Sequence, residues 1–302
     1  MKKTIFIAGL LCTLAASVLW ADWNGERLME AVREQNMTNL KHYLAQTDSA
    51  NYADDTGRSL LMEACSKQWM PGVEKLIEAK ANPSFKNSNG QTALMIAVKE
   101  TNNDNIAKYL IERGEANVND VDHSGKTVLM YAAENNNYNN LVYLVKNTKV
   151  NPGQQDNLGN TALMYAIKNG NIAGAKYLAD STGVNWDQKN SDGKNAFMLA
   201  VEKSTQMVRF LFEGNYGLDI DKKVNGMPVL FWAIKTRQSK DVIALIMNNY
   251  TPEALLTTTD ENGNDIEYYI DLRNDEYARR IFEEKKHFKE VQDAKRAAKR
   301  RY

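Results

Sequence analysis

The chain has 302 residues, and its 38 Lys and Arg side chains balance 38 Asp and Glu side chains, so the formal net charge is zero. This balance argues against nucleic-acid binding by the main part of the chain, because phosphate binding requires an excess of basic side chains. The two cysteines are Cys12, which lies in an apolar N-terminal segment, and Cys65. If that segment is removed, one cysteine remains, which excludes a fold stabilised by internal disulfides.

The first residues have the pattern of a secretory signal peptide. Lys2 and Lys3 form a basic start, and an apolar run of 16 residues follows from Ile5 to Trp20, with Ala21 as a plausible cleavage point. Such a run is short for a membrane span and typical of a signal-peptide core. The sequence therefore predicts a signal peptide over residues 1–21 and a periplasmic protein. Release from the cell and anchorage by an uncleaved signal are the alternatives.

A glycine recurs along the rest of the chain at a nearly constant interval. Successive intervals are 33, 35, 34, 34, 33 and 37 residues. A period of this length is typical of stacked helical repeats, each of which packs against its neighbours. The glycines are Gly57, Gly90, Gly125, Gly159, Gly193, Gly226 and Gly263.

Each glycine lies within a shared sequence pattern, which is clearest around Gly125. Asp122 can accept hydrogen bonds from its own turn, and the glycine permits the positive φ that the turn needs. Thr127 is a good helix N-cap, and Leu129 and Ala132 then share one face of the helix that follows. A second apolar run comes later in the unit. Every unit is therefore predicted to run turn, helix, turn, helix and loop.

The pattern Gly-x-Thr-x-Leu-Met-x-Ala at Gly90, Gly125 and Gly159 resembles the Gly-x-Thr-Pro-Leu-His-x-Ala signature of ankyrin repeats, with Pro and His replaced. The resemblance covers about Trp23 to Phe282. It implies an all-α repeat solenoid of about eight helix–turn–helix units, with β-hairpin-like turns between them, over residues 22–282. The repeats are predicted to start near residues 24, 54, 87, 122, 156, 190, 223 and 260.

Three copies depart from the pattern. Residues 24–31 form an abbreviated first copy, and Pro228 occupies a cap position that proline cannot fill with a hydrogen-bonding side chain. In the last copy, Glu267 and Ile270 replace the usual Leu and Ala. Because terminal repeats must present a wettable outer face, we interpret the first and last copies as caps.

The variable positions beside each glycine are candidates for a binding surface. Stacked repeats present an extended concave face. The resemblance implies that hairpin tips and first helices form this face, and that it binds another protein. The candidate positions vary in chemistry while the surrounding pattern repeats. They are Arg58, Gln91, His123, Lys126, Asn157, Leu158, Asn160, Lys194, Val224 and Met227.

Aromatic side chains six positions after several glycines form a second candidate surface. They are Tyr131, Tyr165, Trp232 and Tyr269. Tyr and Trp are favoured at interfaces, since they combine an apolar body with a polar tip. One hypothesis is an aromatic ladder on the floor of the groove. The other is that these rings pack as ordinary core between the turns and the helices.

The sequence indicates no catalytic, metal or cofactor site. The histidines His42, His123 and His287 are too far apart in the sequence for metal-ligand spacing. The segment from Asp120 to Tyr131 imitates the start of a calcium-binding loop, but places Tyr where the loop requires a bidentate Glu. We therefore expect no cofactor and no enzymatic activity.

Residues 283–302 form a charged tail that holds 8 Lys or Arg and 4 Asp or Glu residues. We expect a helical extension. It is either solvated or a weak contact for an anionic membrane or an acidic partner. The basic residues for such a contact are Lys295, Arg296, Lys299, Arg300 and Arg301.

Together these features predict an exported, non-catalytic and monomeric scaffold that binds another protein of unspecified identity through its concave face, and that binds no nucleic acid. A secreted effector acting on host or rival-cell proteins is one alternative. An enzyme whose site is assembled across several repeats is an alternative of another class.

Overall fold

The computed structural model describes residues 24–46, 50–100, 104–214, 216, 223–224 and 226–299. The predicted signal peptide and the last three residues of the tail lie outside the described residues. The chain divides into two compact units, Met1–Asn157 and Leu158–Tyr302. No helix among the described residues combines the length and apolar character needed to cross a membrane.

The described part of the first unit consists of paired helices. Within a pair the two helices pack together, and first helices pack on neighbouring first helices, as α3 does on α5. In chain order the helices are α1 (24–33), α2 (Met37–Leu44), α3 (Leu60–Ser66), α4 (Met70–Glu78), α5 (Ala93–Glu100), α6 (Asn105–Glu112), α7 (Val128–Glu134) and α8 (Tyr138–Asn147).

The second unit continues the same order of elements. Two short strands, β1 (Lys223–Val224) and β2 (Met227–Pro228), pair antiparallel, with Val224 opposite Met227. The helices are α9 (Ala162–Lys168), α10 (Ile172–Thr182), α11 (Ala196–Lys203), α12 (Thr205–Glu213), α13 (Val229–Lys235), α14 (Lys240–Asn249), α15 (Pro252–Thr257), α16 (Ile266–Arg273) and α17 (Glu276–Lys299).

The predicted fold class, an all-α repeat solenoid, is confirmed. Among the described residues, strand structure is confined to β1, β2 and two isolated antiparallel bridges, Ala53 to Ser59 and Val121 to Thr127, which flank turns. The core of each unit lies between the helices of successive pairs. The first helices of the inner repeats are almost entirely buried; in α7 every residue from Val128 to Ala133 is buried.

Two elements differ from the sequence-based expectation. Helix α15 was not predicted, although Thr251 caps it and Pro252 occupies its first turn, which is a common helix start. Helix α17 runs without a break through residue 283, where the sequence predicts the start of a separate tail. It contains no Gly or Pro to end it. The basic tail therefore continues the second helix of the last pair.

Most turns are organised by an Asp or Asn side chain three residues before the glycine, whereas Lys223 holds that place before Gly226. At Gly125, the Asp122 Oδ1 accepts hydrogen bonds from the backbone N–H of Ser124 (2.8 Å) and Lys126 (2.9 Å). The Gly125 N–H donates to the Asp122 carbonyl (3.0 Å), and its φ of 79° lies in the region that glycine favours. The same side-chain contacts occur at Asp54, Asn87, Asn190 and Asp260.

Backbone hydrogen bonds also join successive turns within each unit. In the first unit, the Asn157 N–H donates to the Ser124 carbonyl (2.9 Å). A Cβ at Gly125 would lie only 2.8 Å from the Asn157 nitrogen, so glycine permits this close approach as well as the turn. Equivalent bonds run from Ser88 to Thr56, His123 to Asn89, Ser191 to Leu158 and Glu261 to Gly226.

The predicted caps are present at most helix starts. The Thr127 hydroxyl accepts from the Met130 N–H (3.3 Å). This bond satisfies one of the backbone N–H groups in the first turn that have no acceptor within the helix. Pro228 precedes α13 without a side-chain cap, as expected. Side chains that cap in the same way as Thr127 are Ser59, Thr92, Thr161, Asn195 and Asp265.

A buried tyrosine connects the turn around Gly125 to the preceding repeat. The Tyr131 hydroxyl donates to the Asp122 Oδ2 (2.7 Å) and accepts from the Gln91 Nε2 (2.7 Å). Burial alone would raise the pKa of Asp122, but hydrogen bonds from Tyr131, Ser124 and Lys126 outweigh it and hold that pKa below its ordinary value. Tyr269 donates to Asp260 in the same way (2.7 Å) in the second unit.

The contact between turns predicts unequal effects of one substitution at two repeat glycines. Gly125→Ala and Gly263→Ala both place Ala at a positive φ, which costs about 1–2 kcal/mol. Only Gly125→Ala also pushes its Cβ against the backbone of the next turn, because no described atom lies within 4 Å of a Cβ at Gly263. We expect Gly125→Ala to lower the free energy of unfolding by about 1–3 kcal/mol more than Gly263→Ala. Urea unfolding followed by circular dichroism measures both, and equal losses would contradict the explanation.

The buried tyrosine gives a second prediction. Tyr131→Phe removes one hydroxyl and leaves Asp122 and Gln91 each short of a partner, so we expect a loss of about 1–3 kcal/mol in the free energy of unfolding. Tyr143→Phe is the matched control, because the Tyr143 hydroxyl bonds Glu112 at an exposed site (2.8 Å) and should contribute about 0.5 kcal/mol or less.

The loss caused by Tyr131→Phe should also depend on pH. Because the folded pKa of Asp122 is lowered, its ionised form contributes stability above about pH 4, and that stability is lost as the pH falls through the folded pKa. The difference between wild type and Tyr131→Phe should therefore shrink between pH 7 and pH 3. A difference in the free energy of unfolding that grows as the pH falls would contradict this explanation.

Candidate functional site

In the first unit, the structure separates the candidate binding residues into accessible and buried ones. His123 and Asn157 are exposed at neighbouring turns, where the Asn157 Nδ2 donates to the His123 carbonyl (2.9 Å). Gln91 and Tyr131 are buried, because both belong to the hydrogen-bonded set around Asp122. The prediction that these two side chains face a partner is wrong in this structure.

The candidates of the second unit divide in the same way. Leu158 is 60% exposed at its turn, although it is a large apolar side chain. Met227 is half-buried. Asn160 and Tyr165 are buried, and the Asn160 Oδ1 accepts from the Asn190 Nδ2 of the next turn (3.2 Å). Asn160 and Tyr165 are therefore framework residues, and their assignment to an open surface is corrected. The side chain of Val224 lies outside the described residues.

The aromatic ladder does not form an open groove floor. Tyr131, Tyr165 and Tyr269 are only 5%, 6% and 3% exposed, so these rings belong to the core. The hydroxyls of Tyr131 and Tyr269 bind a turn carboxylate, which draws each ring inward. Trp232 has no hydroxyl to make that bond, and it stays half-buried. One ring of the four thus remains available to a partner.

Lys126 is already paired in the first unit. From the residue after Gly125 it reaches Glu134 at the end of α7, and its Nζ lies 2.9 Å from each carboxylate oxygen. The same Nζ lies 5.5 Å from the centre of the Tyr131 ring. The pair connects the turn to the end of the first helix and covers the buried ring. At partial exposure such a pair contributes less than about 1 kcal/mol.

Lys194 makes the equivalent contact in the second unit. Its Nζ lies 2.6 Å from the Glu202 Oε1 and 6.0 Å from the centre of the Trp232 ring. Glu134 and Glu202 were missed by sequence reasoning. The signal was available, because in both repeats Lys directly follows the glycine and Glu comes eight residues later.

Arg58 is also committed to an ion pair. Its guanidinium contacts Glu63, a nearly buried residue at the position where other repeats carry an aromatic ring. Arg33 approaches the same carboxylate (3.9 Å) and binds Asp54 (3.2 Å). A cleft of about 500 Å³ lies beside these residues in the first unit. It is lined by Glu26, Met29, Glu30, Arg33, Tyr52, Asp54 and Asp55.

The last part of α17 is exposed. Phe288 and Val291 are exposed large apolar side chains, and Lys295 and Arg296 are exposed as well. The side chain of Lys299, like residues 300–302, lies outside the described part of the chain. A cleft of about 270 Å³ between α15 and α17 is lined by Thr251, Pro252, Glu253, Phe288, Lys289, Gln292, Asp293 and Arg296.

Three titratable groups with shifted pKa values, Asp122, Asp260 and Cys65, serve the framework. Asp122 and Asp260 have pKa values held below the ordinary range by turn hydrogen bonds, against the effect of burial, so both are ionised acceptors at neutral pH. Burial raises the pKa of the Cys65 thiol and keeps it protonated. Within the described ranges, no group of three or more His, Cys, Asp or Glu side chains is placed to hold a metal ion.

A comparison with protein families agrees with the repeat architecture of the structure. A family model described as ankyrin repeats (3 copies) matches residues 28–122, 114–190 and 182–255. Together these matches cover well over half of the 302 residues, including the turns, caps and helix pairs from α3 to α13. No curated protein matches the chain. The chain belongs to the ankyrin-repeat family.

Proposed function

We propose that this protein is a non-catalytic scaffold that binds another protein through the turns and first helices of its repeats. Ankyrin repeats generally mediate protein–protein interaction, and this general role is the starting point. The same scaffold serves unrelated ligands, so the partner depends on the accessible side chains and not on the fold.

The observation that carries the proposal is the contrast between backbone and side chains at the turns. The backbone around Gly125 is held by Asp122 and by the next turn, while the side chains of His123 and Asn157 remain exposed. In the second unit, Leu158 is exposed on a turn whose carbonyl accepts from Ser191 (2.8 Å). A surface with an ordered backbone loses little conformational entropy on binding, which favours recognition.

We also propose that the scaffold acts outside the cytoplasm, in the periplasm, as a monomer. The basic start at Lys2 and Lys3 and the apolar run up to Trp20 support export. The balanced net charge supports a protein partner over nucleic acid. A secreted effector would have the same binding surface but would bind its partner outside the cell that produces it.

Photo-cross-linking in intact cells tests the binding surface. A photoactivatable residue at Leu158 should capture a partner, because this side chain is exposed at a turn. The matched control places the photoactivatable residue at position 209, in place of Arg209, which is exposed on the second helix α12. This position should capture no partner. Capture from Arg209 alone, or equal capture from both positions, would contradict the proposed surface.

The same cells show where the complex forms. We expect the captured complex in the periplasmic fraction, with a mature chain that begins directly after Ala21. Recovery of the complex from the medium would favour the secreted effector. A chain that keeps its first residues and stays in the cytoplasm would contradict export.

A further inference from the structure

We propose that the first-helix side of the second unit binds an extended acidic segment of a partner protein, with Lys168, Lys203 and Lys235 as the contact residues. This inference rests on the proposed function and specifies the chemistry of the partner. It depends only on residues of the second unit.

The three lysines end neighbouring first helices; Lys168 and Lys235 lie nine residues after their repeat glycines, and Lys203 lies ten residues after Gly193, one place beyond Glu202. Lys168, Lys203 and Lys235 are the last residues of α9, α11 and α13, and α11 packs against both of the other helices. Lys203 lies beside the end of α9, because its Cε is 3.1 Å from the place where a Cβ of Gly170 would be. The three lysines therefore lie at the C-terminal ends of adjacent first helices in this unit.

These lysines differ from Lys194 in their contacts. Lys194 is neutralised by Glu202. All three contact lysines are exposed, and none forms an ion pair with a described residue; Lys168 lies only above the ring of Tyr165 (5.8 Å). A lysine at a helix C-terminus interacts favourably with the helix dipole, which explains why each position tolerates a positive charge. That interaction leaves the ammonium group free to bind a carboxylate.

The spacing of the helices selects the form of the ligand. Packed helices lie about 8–10 Å apart. An extended chain in the polyproline II conformation has three residues per turn and advances about 3.1 Å per residue, so every third side chain lies on the same side at an interval of about 9 Å. An acidic residue at every third position could therefore meet Lys168, Lys203 and Lys235 in turn. Trp232 is one helical turn before Lys235 and half-buried, so it offers an apolar contact beside the charges.

The surrounding charges favour an acidic peptide over nucleic acid or an anionic membrane. Asp192 is exposed beside Lys194, and Glu202 is exposed on α11 between the lysines of α9 and α13. Glu202, which is paired with Lys194, interrupts the lysines, and Asp192 lies in the turn before α11, so this surface suits a continuous array of phosphates less well than an uninterrupted basic row would. A peptide can place neutral residues opposite them.

The test uses the full mature protein and a fluorescent peptide with Glu at every third position and neutral residues between. Fluorescence anisotropy measures its binding. We expect saturable binding that weakens when the salt is raised to about 0.3 M. The variant Lys168→Gln, Lys203→Gln, Lys235→Gln should bind about tenfold more weakly, since it loses three exposed ion-pair contacts. Lys→Arg at the same three positions should retain binding.

A second triple variant separates a local effect from net charge. Lys176→Gln, Arg209→Gln, Lys240→Gln removes the same charge from exposed positions on α10, α12 and α14, the second helices of the same repeats, and should bind as wild type does. The inference is overturned if both Gln variants weaken binding equally, if the peptide does not bind, or if single-stranded DNA or anionic vesicles bind more tightly. If cross-linking from Leu158 persists while the peptide fails, only the acidic-segment inference falls.

Discussion

The rest of the structure depends on the hydrogen bonds that an Asp or Asn side chain, three residues before a repeat glycine, accepts from its own turn, as at Asp54, Asn87, Asp122, Asn190 and Asp260. At Asp122 one side-chain oxygen accepts two backbone N–H groups of the turn, so the turn is closed by a side chain and needs no long strand. The closed turn allows Asn157 of the next turn to donate to it. The second oxygen of Asp122 then binds the Tyr131 hydroxyl on the first helix. One carboxylate thus joins the turn to the helix that follows it.

Sequence reasoning succeeded where structure depends on nearby residues. The turn at Gly125 and the cap at Thr127 involve partners within four residues, so a single repeat contains the whole signal. It failed at Tyr131, whose ring lies in the core, where its hydroxyl also accepts from Gln91, 40 residues earlier and in another repeat. An amphipathic ring can serve an interface or the core, and the sequence does not show which hydroxyl partner is within reach.

The ion pairs explain why fewer side chains are available to a partner than the sequence suggested. Lys126 and Lys194 are each bound to a Glu at the end of the same repeat's first helix. Because both pairs span eight residues within one repeat, the sequence contained this signal. In the function that we propose, partner choice rests on exposed residues that the framework does not use, such as Leu158 and Lys235. This division follows from the repeat architecture, where framework and recognition use different positions.

Amide hydrogen exchange tests the central claim most directly, because it reports whether each turn is held by hydrogen bonds. The amides of Ser124, Lys126 and Asn157 all donate within or between turns of the first unit. They should exchange as slowly as amides of α7, although they lie in turns. Rapid exchange at all three, at the rate of an unstructured chain, would contradict the account, since the turns would then not be ordered before a partner binds.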